Sequence, residues 1–79
     1  MTEKYFVQLE YAGMNETIAN TLEYLAVNDF KGMTKASFVK EGRVVFSFSE
    51  QEKRDSFAQV AREMYLEESI MAYCWDSQL

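Results

Sequence analysis

Apolar and polar residues alternate along Tyr5-Phe6-Val7-Gln8-Leu9-Glu10-Tyr11, which predicts a strand over residues 4–11. Tyr5, Val7, Leu9 and Tyr11 fall on one face, and Phe6, Gln8 and Glu10 on the other. After Gly13 the period lengthens. Ile18, Ala19, Leu22, Leu25 and Ala26 recur at helical spacing, which predicts a helix over 16–28 with this stripe buried. Asn15 is its expected N-cap, because its side-chain oxygen can accept from a free amide in the first turn. Asn28-Asp29 and Gly32 end it.

Two further strands are expected at 33–40 and 43–49, joined through Gly42. A two-residue turn at Glu41-Gly42 pairs Val39 with Val44 and sets Ser37 and Lys35 beside Phe46 and Phe48, which buries a lysine. A three-residue loop, Lys40-Glu41-Gly42, pairs Phe38 with Val44, Ala36 with Phe46 and Thr34 with Phe48. A slip of one residue turns every side chain over, so the second register is expected, with Gly42 at positive φ and Phe38 in the core. Ser49 and Glu52 then have capping-box spacing at the start of a helix over 50–65, whose expected stripe is Phe57, Val60, Ala61 and Met64. Glu50 and Glu52 suit its positive end. Ser69-Ile70-Met71-Ala72-Tyr73-Cys74-Trp75 alternates again and predicts a last strand over 69–75.

The order βαββαβ within a single domain, 1–79, resembles the ferredoxin-like fold. That resemblance implies an α+β sandwich with an antiparallel sheet in the order 4-1-3-2 and both helices on one face. Arg43-Val44-Val45-Phe46-Ser47-Phe48-Ser49-Glu50 resembles the third strand of the RNA-recognition motif. The positions that would stack bases are Arg43 and Val45, so the aromatic platform is missing. Gly13-Met14-Asn15-Glu16-Thr17-Ile18-Ala19 resembles the loop of the heavy-metal-associated domain, with Glu16 and Ala19 where that family has its cysteines. Soft-metal binding does not carry over without thiolates.

Composition narrows the function mainly by exclusion. The chain has no histidine, so the commonest general base and transition-metal ligand is missing. No Walker loop or Gly-x-Gly-x-x-Gly is present to cradle phosphates. The carboxylates of Glu50/Glu52 and Glu67-Glu68 read as solvated helix ends. The single cysteine, Cys74, has no thiolate-stabilising neighbour in sequence and reads as an inert thiol. No catalytic residue, metal ligand or cofactor is therefore assigned, and no enzyme is expected. One cysteine fits a reducing cytoplasm. No apolar run reaches the roughly 18 residues of a membrane span.

The net charge of −5 opposes broad phosphate contact and suits a neutral or basic protein partner. If the first strand turns Val7 and Leu9 to the helices, its other face carries Phe6. Val39 and Val45 are expected beside it, with Met71, Tyr73 and Trp75 if the last strand has the matching parity. Otherwise Tyr73 and Trp75 fold over an edge of the core, or the last strand has the opposite parity, and the sequence leaves these readings open. An exposed face of Phe6, Val39, Val45, Met71, Tyr73 and Trp75 points to a protein-binding surface or a homodimer through the open sheet face. The expected function is a small acidic, non-enzymatic module that masks or modulates another protein. Compact chains of this style are similar to accessory and inhibitor proteins of bacteriophages and mobile elements. Two alternatives stand beside it: an ACT-like regulatory module taking a small ligand at the loop 12–16, without that family's Pro-Gly signature, and an atypical RRM-like nucleic-acid binder.

Overall fold

The computed structural model describes residues 4–65 and 69–77 of the chain. Its elements follow the order β1 (Tyr5–Glu10), α1 (Glu16–Tyr24), β2 (Met33–Phe38), β3 (Arg43–Phe48), α2 (Gln51–Met64) and β4 (Met71–Asp76). The four strands form one antiparallel sheet in the order β2-β3-β1-β4, which is the expected order read from the other edge. Val7 and Leu9 of β1, and Val44, Phe46 and Phe48 of β3, turn to the same side. There they join Ala19 and Leu22 of α1 and Phe57, Ala58 and Ala61 of α2 in a single core. Among the described residues, the other side of the sheet carries no helix.

Asn15 caps α1 as its side chain suggests, its Oδ1 accepting from the Ile18 amide at 2.9 Å. The helix continues as a wider π-helical turn over Leu25–Asp29. The Gly32 amide closes that turn on the Ala26 carbonyl at 2.8 Å, and Lys31, not the glycine, takes the left-handed conformation with φ 60°. Gly32 is needed for room, since a Cβ there would lie 2.3 Å from the Phe48 ring.

The β2–β3 hairpin corrects both registers considered from sequence. Val39–Glu41 forms a 3₁₀ turn and Gly42 follows at φ 77°, so the positive φ is where it is expected. Four residues, however, separate the strands. Phe38 therefore opposes Arg43, and Ser37 opposes Val44. A bulge at Lys35 then restores the parity, so that Thr34 opposes Phe46 and Met33 opposes Ser47. The extra residue expels Lys35 from the ladder, which removes the objection that a shifted register would bury it.

The second helix also departs from expectation at both ends. Its N-cap is Glu50, with no side-chain cap bond, so Ser49 and Glu52 do not form a capping box. Its buried stripe is Arg54, Phe57, Ala58 and Ala61. Val60 is only partly buried, and Met64 is exposed. The face that meets the sheet thus lies nearly one turn closer to the N-terminus than expected. The Glu67-Glu68 pair lies outside the described residues.

Candidate protein-binding face

Opposed residues in an antiparallel ladder share a face, so register alone assembles the candidate surface. Phe6 opposes Trp75 on one side and Ser47 on the other; Gln8 opposes Tyr73 and Val45; Glu10 opposes Met71 and Arg43. Arg43 in turn opposes Phe38, and Ser47 opposes Met33. All of these alternate with the core positions Val7, Leu9, Val44 and Phe46. The open parity of the last strand is thereby settled: Met71, Tyr73 and Trp75 face away from the helices.

The resulting surface is strongly apolar. Trp75 and Tyr73 are each 43% exposed, Met71 55%, Met33 45% and Phe38 39%. Phe6 and Trp75 lie nearly parallel, with ring centroids 5.3 Å apart and planes 8° from each other. The Tyr73 hydroxyl donates to the Met71 sulfur at 3.6 Å. Two polar pairs form here. Gln8 Nε2 donates to Glu10 Oε2 at 2.7 Å, and Arg43 pairs with Glu41 at 2.8 Å while its guanidinium sits 4.2 Å above the Phe38 ring. One negative and one positive strand residue, Glu10 and Arg43, oppose each other, so the excess acidity of the chain lies elsewhere.

Five of the six residues expected on this face are brought together there: Phe6, Val45, Met71, Tyr73 and Trp75. Val39 is not among them. It sits in the 3₁₀ turn and packs against the core. Phe38 takes the opposite course. Expected in the core, it lies on the open face, because the four-residue connection moves it out of line with Val44. Met33 lies on the face as well, opposite Ser47, because the bulge restores the expected parity at the start of β2. Ser47 belongs to this face by register but is fully buried, and its hydroxyl lacks a hydrogen-bond partner among the described residues.

Arg54, which the sequence pattern did not single out, anchors the aromatic pair from behind. It is 5% exposed, and its Nη1 donates to the carbonyls of Phe6 at 3.3 Å and Trp75 at 3.1 Å, and to Asp76 Oδ1 at 3.0 Å. Its Nε donates to Asp55 Oδ1 at 2.7 Å, and the guanidinium lies 5.7 Å from the centre of the Tyr5 ring. Burial works to lower its pKa, but the Asp55 and Asp76 carboxylates outweigh that and hold it above the ordinary arginine value. One signal was available: Arg54, Phe57, Ala58 and Ala61 share helical spacing, so a charge stood in an otherwise apolar stripe. A single side chain on α2 thus fixes the main chain of the two residues whose rings stack on the far face.

Cys74 is exposed on the helix-side parity of β4. Partial burial pushes its thiol pKa up, as do the Asp55 and Asp76 carboxylates, against the opposing pull of Arg54 and Arg62. Among the described residues no group of three or more acidic or cysteine side chains is placed to hold a metal ion. No helix among them is long and apolar enough to cross a membrane. No protein-family model, curated protein or solved structure matches the chain.

Proposed function

We propose that this chain is a small, acidic, non-enzymatic binding module of ferredoxin-like type that masks or modulates another protein through its open sheet face. The observation that carries this reading is the stacked Phe6–Trp75 pair, flanked by Tyr73, Met71 and Val45 on a face that carries no helix among the described residues. Large apolar side chains gathered on one exposed surface are uncommon in a monomer, and Trp and Tyr are the residues that dominate interface energetics. Arg54 gives that pair a rigid base, which lowers the entropy cost of using it as an anchor. The partner is a protein that offers an apolar patch with a basic rim, to match the net charge of −5. A single cysteine fits a reducing cytoplasm as the compartment in which the module acts.

Affinity capture from a cell lysate, run in parallel with the Tyr73→Ala/Trp75→Ala double variant, tests this reading. Partners recovered by the native chain and lost from the folded variant support it. Recovery of the same partners by both removes the aromatic face as the site.

A further inference from the structure

We propose that two copies of this chain associate edge to edge through β4, antiparallel and centred on Cys74. Among the described residues, the sheet order leaves β2 and β4 as free edges, and the two are built differently. The β2 edge carries a bulge at Lys35 and runs into a 3₁₀ turn containing Lys40, the devices that keep a strand from recruiting another. The β4 edge, Met-Ala-Tyr-Cys-Trp-Asp, carries no lysine, proline, glycine or bulge and stays in register with β1 over its whole length. Its one charged residue, Asp76, is engaged by Arg54 at 3.0 Å.

The ladder shows which groups the edge offers. The Ser77 amide donates to the Lys4 carbonyl at 2.7 Å, so residue 77 turns its main chain toward β1. Successive residues of a strand alternate, so Trp75, Tyr73 and Met71 do the same. Ala72, Cys74 and Asp76 then direct their N–H and C=O groups outward. An antiparallel pairing about Cys74 sets Cys74 against itself and Ala72 against Asp76 of the second copy. It uses all three outward residues of each strand, and each opposed pair exchanges both of its main-chain bonds.

Side chains favour a second copy as the occupant, because this register is self-complementary. Tyr73 falls opposite Trp75 of the second copy, which extends the Phe6–Trp75 stack across the two-fold axis. No like charges meet, whereas centring on Asp76 would set that carboxylate against itself. Association joins two four-stranded sheets and makes one continuous open face. The inference concerns the strand edge and does not depend on what that face binds.

Sedimentation equilibrium of the native chain and of Cys74→Pro, both under reducing conditions, tests the edge. Proline at Cys74 removes an outward amide and leaves the β1 ladder intact, so the variant folds. The native chain is expected to self-associate reversibly, and Cys74→Pro to do so at least about tenfold more weakly. Amide exchange on the native chain gives a second readout that needs no variant. Protection of the Ala72, Cys74 and Asp76 amides should rise with protein concentration, while Tyr73 and Trp75 stay protected throughout. A native chain that remains monomeric up to about 1 mM would overturn the proposal. So would association unchanged by the proline, or protection that ignores the alternate-residue pattern.

Discussion

On the helix-covered side of the sheet, Phe46 and Phe48 meet Phe57 of α2 at 75° and 39°, with centroids 5.1 and 5.4 Å apart, and all three rings are wholly buried. On the open side, Phe6 and Trp75 lie nearly parallel, and Trp75 keeps almost half its surface in water. The first arrangement interlocks rings from different elements and fills volume, as a core must. The second links neighbouring strands side by side and leaves a flat apolar platform. The same class of side chain therefore holds the fold together on one face and remains available for contact on the other.

The comparison breaks most readily at its buried side. Phe57→Ala removes the ring that meets Phe30, Phe46 and Phe48, and should cost about 3–5 kcal/mol by urea denaturation. In a domain of this size that is enough to leave much of the chain unfolded. Arg54→Ala comes next, at about 2 kcal/mol, since a buried guanidinium loses its hydrogen bonds to two carbonyls and to two carboxylates that remain half-exposed. This variant also sharpens the comparison, because it should loosen the Phe6–Trp75 pair and weaken partner binding without touching either ring.

Ser47→Ala changes the sign. Its hydroxyl is buried on the open-face parity without a partner, so removing it should stabilise the chain by about 1 kcal/mol. The smallest effect concerns Cys74. Its raised pKa means that the folded state favours the neutral thiol. The stability this contributes is fully present below the unfolded thiol's pKa and is lost as pH rises through the folded one. The pH midpoint for alkylation by iodoacetamide should accordingly lie higher in the native chain than in urea. An equal midpoint in both would remove the environmental effect.

Much of the architecture was legible in the sequence because period and turn chemistry agreed locally. The alternation of β1, the Asn15 cap and the left-handed Gly42 appear where they were expected. The errors arose where one residue more or less changes parity. The four-residue connection and the bulge at Lys35 leave no periodic trace, yet the first exchanges the roles of Phe38 and Val39 and the second restores the parity beyond it. The expected stripe of α2 left out Arg54, whose burial depends on three carbonyl and carboxylate groups within its reach on distant elements. Of the candidate face, Phe6 was readable from alternation and the β4 members were legible as a set whose parity the sequence left open, while the β2 members depended on a long-range register.

The measurement that tests the central claim most directly pairs a thermal melt of Tyr73→Ala/Trp75→Ala with a binding titration against the protein partner captured by the native chain. The expected result is a Tm lowered by less than about 10 °C, since exposed rings contribute on the order of 1 kcal/mol, and binding weakened at least about a hundredfold, as loss of hot-spot residues requires. A variant that unfolds, or one that binds the partner as tightly as the native chain, would contradict it.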